Sequence, residues 1–180
     1  ESMYQSVTQE IMTVKERNDI IKSAKKVECT SCIKGIRMCT TRPCWGTVKD
    51  FKRIIEAGYA TSLMIDYYAH RDINNGDRIY FLSGASRGNQ CSKADWNPKG
   101  TCSFLIKEKC AIHDIKPTVG AVACCEKEPD LKLIHACMLT WNTRTGKKLI
   151  NDWKKMVNYV DVEDDEGFDI GDLISLLLVG

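Results

Sequence analysis

The chain has 180 residues, 43% hydrophobic and 28% charged, enough for one domain with a real core and with no need of disulfides to fold. Its 26 Lys and Arg against 24 Asp and Glu leave a net charge of +2, which gives no general electrostatic case for nucleic acid. No apolar run approaches the roughly 20 residues a membrane helix requires, so a transmembrane span is excluded.

Glu1 and Ser2 read as residues appended ahead of a natural start at Met3, and the N-terminus shows neither the basic n-region nor the apolar h-region of a secretory signal. The expected compartment is therefore the reducing cytoplasm, where clustered cysteines read as metal ligands or redox centres before disulfides. Residues 3–28 form an N-terminal helical segment, with Val7, Ile11, Val14, Ile20, Ile21 and Ala24 at helical spacing and Ser6 or Thr8 as caps. Residues 29–137 form the cysteine-rich domain, which opens with CTSCIKGIRMCTTRPCWGT. Thr47-Val48-Lys49-Asp50 is a capping box with Asp in the Glu position, and Val48, Phe51, Ile54 and Ile55 make one face of a helix that Gly58 stops. A second short helix is expected over Ser62 to Tyr68. An Asn-Asn-Gly-Asp turn then leads to a strand at Arg78 to Leu82. From Ser83 to Thr101 periodicity vanishes and a long loop is expected. Residues 138–180 supply an amphipathic helix over 145–160, an acidic linker at Asp161 to Asp169, and an apolar tail packing on the same domain. The fold class expected is α+β, mostly helical and loop-rich: a small metal-stabilised cysteine-cluster domain with N- and C-terminal helices.

Ten cysteines carry the chemistry. A tetrahedral zinc site wants four borderline or soft ligands, and a C-x2-C turn brings two thiolates to one ion. Cys29 and Cys32 have that spacing; Cys39 and Cys44 are a looser pair stiffened by Pro43. These four make one site, or each pair is half of a site completed by Cys102, Cys110, His113, Cys124 and Cys125. Cys91 and Cys137 read as small hydrophobes instead. Thiolates bind zinc and iron alike, and the chain supplies enough for an iron-sulfur cluster; zinc is the first choice and spacing does not decide. A disulfide framework is the remaining reading.

His113 is a ligand or a hydrogen-bonding residue, His70 a surface residue, and His135 a ligand or a base for the Cys137 thiol. The acidic run lacks the ligand spacing of an EF-hand, and no Walker loop, GxGxxG, HExxH or GxSxG occurs.

The elements CTSC, CTTRPCWGT-x2-D and C-x-F-L-x4-C-x-I-H-x2-K-P resemble the YkgJ-type zinc- or iron-chelating cysteine-cluster family, particularly its bacterial and phage versions. The likeness runs from Cys29 to Cys125. It implies a small metal-binding domain in which early and late cysteines converge. The sequence departs from that pattern: the adjacent Cys-Cys of the first block is absent, and Cys124 follows Pro117 by seven residues. The function expected is an interaction or regulatory module; a phage origin implies a host-directed inhibitor of a nuclease or defence complex. An iron-sulfur enzyme with a redox or methyl-transfer role is the alternative. A third reading is nucleic-acid binding through a zinc-held basic face spanning Lys22, Lys25, Lys26, Lys34, Arg37, Arg42, Lys49, Lys52 and Arg53. A protein partner is expected; a membrane is not.

Overall fold

Four helix starts among the described residues are set by short polar side chains, Thr13, Thr47, Asp130 and Thr143, that satisfy first-turn N–H groups. A computed structural model describes residues 12–27, 33–88, 90, 100–123 and 130–159. Thr13 begins α1 (Val14–Ser23) with a reciprocal capping box to Glu16; the cap expected at Ser6 or Thr8 lies outside the described residues. The cysteine-bearing α2 (Ile33–Thr41) follows. Thr47 begins α3 (Val48–Glu56) with the expected box to Asp50. At the other end of α3, Gly58 adopts φ +92°. Its N–H donates to the Ile55 carbonyl at 2.9 Å and the Tyr59 N–H to the Ile54 carbonyl at 3.2 Å, a Schellman stop.

The segment expected to be a helix from Ser62 to Tyr68 is instead strand β1 (Leu63–Tyr68). It pairs antiparallel with β2 (Ile79–Gly84), in register from Leu63↔Gly84 to Tyr68↔Ile79. Consecutive Leu63, Met64, Ile65 and Asp66 are all buried, so both faces of the strand are covered, and that produces an apolar run without alternation. The turn between the strands uses Asn74, Asn75 and Gly76 at φ +49°, +55° and +81°, a conformation Asn and Gly tolerate best. Strand β2 runs past the expected Leu82, and Ala85 and Ser86 after it are also buried; the long loop starts later than its composition suggests. Residues 89 and 91–99, Cys91 among them, lie outside the described residues.

A short hairpin, β3 (Leu105–Ile106) with β4 (Lys109–Cys110), turns through Lys107 and Glu108, both at positive φ. The small α4 (Thr118–Val122) follows Pro117. An unexpected α5 (Leu131–Trp141), capped by Asp130, buries Leu133, Ala136, Cys137, Met138 and Trp141. The C-terminal helix α6 (Arg144–Met156) begins where the amphipathic helix was expected but ends at Met156, with Val157 as its cap, and Met156 is 57% exposed. Among the described residues the order is thus α+β with helices dominant. The core gathers Phe51 and Ile54 of α3, Phe81 and Leu82 of β2, Trp141 of α5 and Trp153 of α6. Trp141 donates its indole N–H to the Gly46 carbonyl at 2.9 Å and Trp153 to the Ala60 carbonyl at 2.8 Å, so both indoles are buried with their polar atom satisfied. No helix of the described residues is long and apolar enough to cross a membrane.

Candidate metal centre

Four cysteines from three parts of the chain face one another. Cys39 stands in the last turn of α2 and Cys44 in the loop before α3, while Cys102 and Cys110 flank the β3 strand. The Cys102 N–H donates to the Cys39 carbonyl at 2.7 Å, and the Gly100 N–H to that of Thr41 at 3.2 Å, tying the later block to the end of α2. Leu105 pairs with Cys110 across the hairpin, which carries the fourth sulfur back toward the second block.

The sulfurs interact electrically. The Cys44 thiol hydrogen-bonds the Cys102 sulfur, and the N–H groups of Phe104, Cys44 and Leu105 add to it; against the cost of burial these lower Cys102 to about 7. That same bond pushes Cys44 well up, aided by burial and by the other three sulfurs. Burial raises Cys39, and Cys102 and Cys110 repel its charged form. Burial also raises Cys110, with Ile112 N–H and Lys116 opposing it. One thiolate among three protonated neighbours is the state this arrangement favours near neutral pH. A cation would let the others ionise, because its charge offsets both burial and mutual repulsion.

The non-sulfur residues of the two blocks have work here as well. Asp50 Oδ2 accepts from the Thr47 N–H at 2.8 Å, the Thr118 N–H at 2.9 Å and the Thr118 hydroxyl at 2.7 Å. One buried carboxylate therefore caps α3 and fastens the start of α4 to it. Gly46 allows Pro117 to approach, since a Cβ on Gly46 would fall 2.6 Å from that of Pro117. Gly120 of α4 lies directly on Cys44, where a Cβ would sit 2.7 Å from the Cys44 Cβ. The Val119 N–H donates to the Trp45 carbonyl at 3.1 Å. Lys116 supplies positive charge to Cys39 and Cys110. Phe104 fills the space over Gly84, 3.0 Å from where a Cβ would be, and stacks edge-on with Tyr59.

Of the candidate ligands, Cys39, Cys44, Cys102 and Cys110 come together, all as free thiols. His113 is exposed at the start of a 3₁₀ turn and takes no part in the interactions linking them. Cys29, Cys32, Cys124 and Cys125 lie outside the described residues. Cys137 is fully buried in α5 and pushed up to about 12, by burial first and by Asp50 second, as a packing residue would be. Among the described residues no group of three or more His, Cys, Asp and Glu side chains is placed to hold a metal ion as it stands. The four-thiol donor set is nevertheless of the chemical kind a thiophilic cation takes. A shallow groove of 660 Å³ along α6, lined by Arg144, Lys147, Lys148 and Lys155 among others, contains none of these residues.

Sequence reasoning held Asp50 and Lys116 only as letters of the resembling motifs, with no role at the sulfurs, and missed Thr118 and Gly120. The capping box revealed Asp50 only in its local role, and the Thr118 that shares its carboxylate is 68 residues away. No protein-family model, curated protein or solved structure matches the chain.

Proposed function

We propose that the protein is a metal-chelating cysteine-cluster module, with zinc the first choice of ion, that acts through interaction with a partner. The observation that carries the reading is the convergence of Cys39, Cys44, Cys102 and Cys110 in one half-buried cluster around a low-pKa thiolate. Bound there, the ion would supply structural charge compensation, cross-linking α2, the loop before α3 and the β3–β4 hairpin. The surrounding chain's part is to orient the sulfurs: Gly120 seats Cys44, backbone N–H groups hold Cys102, and Lys116 stands beside Cys39 and Cys110. Lys22, Lys25, Lys26, Arg37, Arg42, Lys49, Lys52 and Arg53 are exposed around the segments that carry the first cysteines, which supports an acidic partner surface. A host nuclease or defence complex targeted by a phage-borne inhibitor is the particular version of this reading that the family resemblance suggests.

Metal analysis with an absorption spectrum on freshly purified, anaerobically handled protein tests it. The expected result is roughly one zinc ion per cluster and no visible absorbance, with the metal lost in Cys102→Ser. Iron with acid-labile sulfide would replace zinc by the iron-sulfur alternative. Metal-free protein whose thiols alkylate freely without unfolding would remove the chelation reading altogether.

A further inference from the structure

Outside the thiol cluster, two of the three histidines of the chain meet. His70 follows β1, and His135 sits in the middle of α5, only 7% exposed. Their ring centroids are 4.6 Å apart with the planes tilted by 55°, so the rings do not stack. Two imidazoles sharing one cation through bonds of about 2.0–2.1 Å bring their ring centres to roughly 5 Å, the separation seen here.

Each ring also has one nitrogen engaged and one left over. His70 Nδ1 lies 3.2 Å from the Asp72 N–H and 3.6 Å from the Asp72 carboxylate. His135 Nε2 lies 3.1 Å from the Tyr68 hydroxyl. Among the described residues, His70 Nε2 and His135 Nδ1 have no hydrogen-bond partner. Each ring is thus oriented through its second nitrogen, as ligating histidines are, His70 by accepting from the Asp72 N–H with the Asp72 carboxylate just beyond it and His135 by the Tyr68 phenol. The supports are fixed. The Tyr68 ring lies parallel to His70, at 7°, and is buttressed edge-on by Trp45 at 5.9 Å. Asn142, just past the end of α5, donates to the Asn74 side chain at 2.9 Å, holding the turn that follows His70 against the helix. Burial and the neighbouring His70 disfavour protonation of His135, which keeps its imidazole neutral, the form that ligates.

We propose that His70 and His135 form a two-imidazole site for a divalent transition-metal cation of the zinc type, with water completing the coordination and Asp72 and Tyr68 as positioning residues. The site is independent of the thiol cluster and does not rest on its reading. Each imidazole gives one lone pair: His70 Nδ1 accepts from the Asp72 N–H, so the neutral ring's proton stands on Nε2, and zinc at Nε2 moves that proton to Nδ1, where the bond from the Asp72 N–H is given up and the Asp72 carboxylate, 3.6 Å away, faces it.

The test is a zinc titration of the full, reduced chain followed through its imidazole NMR signals, which number only three residues. The His70 and His135 signals are expected to move together, at a zinc concentration that need not coincide with any response of the thiols. In His70→Gln, which alters an exposed turn, the zinc response of His135 is expected to vanish while that of His113 is unchanged. Tyr68→Phe and Asp72→Asn are expected to weaken the paired response by about 10–100-fold without abolishing it. An unchanged His135 response in His70→Gln, or His70 and His135 signals that stay still in excess zinc, would overturn the proposal. Neither outcome bears on whether the thiols chelate, because the thiol response is read separately by metal retention in Cys102→Ser.

Discussion

The apolar core and the thiol cluster adjoin along α3, yet they are built on opposite terms. In the core, Phe51, Phe81, Trp141 and Trp153 are almost wholly removed from water, their rings meet at tilted or edge angles, and their polar atoms are satisfied. In the cluster, short elements meet over sulfur: the end of α2, a two-residue-per-strand hairpin and the five-residue α4. The cluster places three thiols, Cys39, Cys44 and Cys110, where burial and mutual repulsion penalise their charge. On this comparison the proposed cation would act on the cluster half locally, and the core would not depend on it.

The strongest way to break that division is Trp141→Ala. It removes a ring that contacts both Phe51 and Phe81 and the hydrogen bond that holds the Gly46 carbonyl. A loss of about 3–5 kcal/mol is expected, read as a large drop in denaturation midpoint whether or not metal is present. If metal-loaded Trp141→Ala kept the wild-type midpoint, the cluster would be carrying the fold and the division would be wrong.

Gly120→Ala strikes the cluster instead. A methyl group there meets the Cys44 Cβ at 2.7 Å, and neither α4 nor the loop before α3 can yield without moving the other, since Val119 and Trp45 are hydrogen-bonded between them. The gain in helix propensity from Gly to Ala, about 1 kcal/mol in a long helix, counts for less in so short a one. Overpacking of about 1–3 kcal/mol is expected to win. The telling measurement is alkylation rate of Cys44 beside thermal unfolding: faster labelling with a modest stability loss fits the comparison, and unchanged labelling contradicts the packing of α4 on the sulfur.

What the sequence made legible follows the same line. Thr47 and Asp50, three apart, announced the start of α3, and Gly58 its end, because caps are local chemistry. Leu63 to Tyr68 was misread because a strand buried on both faces loses its alternation, and only the pairing with Ile79 to Gly84 distinguishes it from a short helix. Helix α5 was passed over for a related reason: its apolar residues lie nearly all round, as befits a helix packed among α1, α4, α6 and β2, so it shows little face. The cysteine blocks stood out by composition. Their scaffolding did not, since nothing near Gly120 indicates that Cys44 lies against it, and nothing near Asp50 indicates Thr118.

The smallest effect expected comes from the joint between the core helix α5 and the turn after β1, where His135 is held neutral. Its protonation is lowered from the usual 6.5 by burial first and by His70 second, with Asp72 opposing. The folded state therefore binds this proton less readily than the unfolded chain. Stability from the group is complete above pH 6.5 and falls as the pH drops through that value toward the lower folded one. Thermal unfolding followed from about pH 8 down to about pH 5 stays above the range where most carboxylates titrate; Cys102, lowered to about 7, also loses stability in this window, so the share of His135 is the difference between wild type and His135→Gln. Wild type should lose stability across that window and His135→Gln should lose less. His70→Gln removes one source of the repulsion and should flatten the curve only in part, because burial is the larger cause. A wild-type curve that rises on acidification would mean that Asp72 outweighs both, with His135 better charged than neutral in the folded protein, and the pairing of the two imidazoles would have to be redrawn.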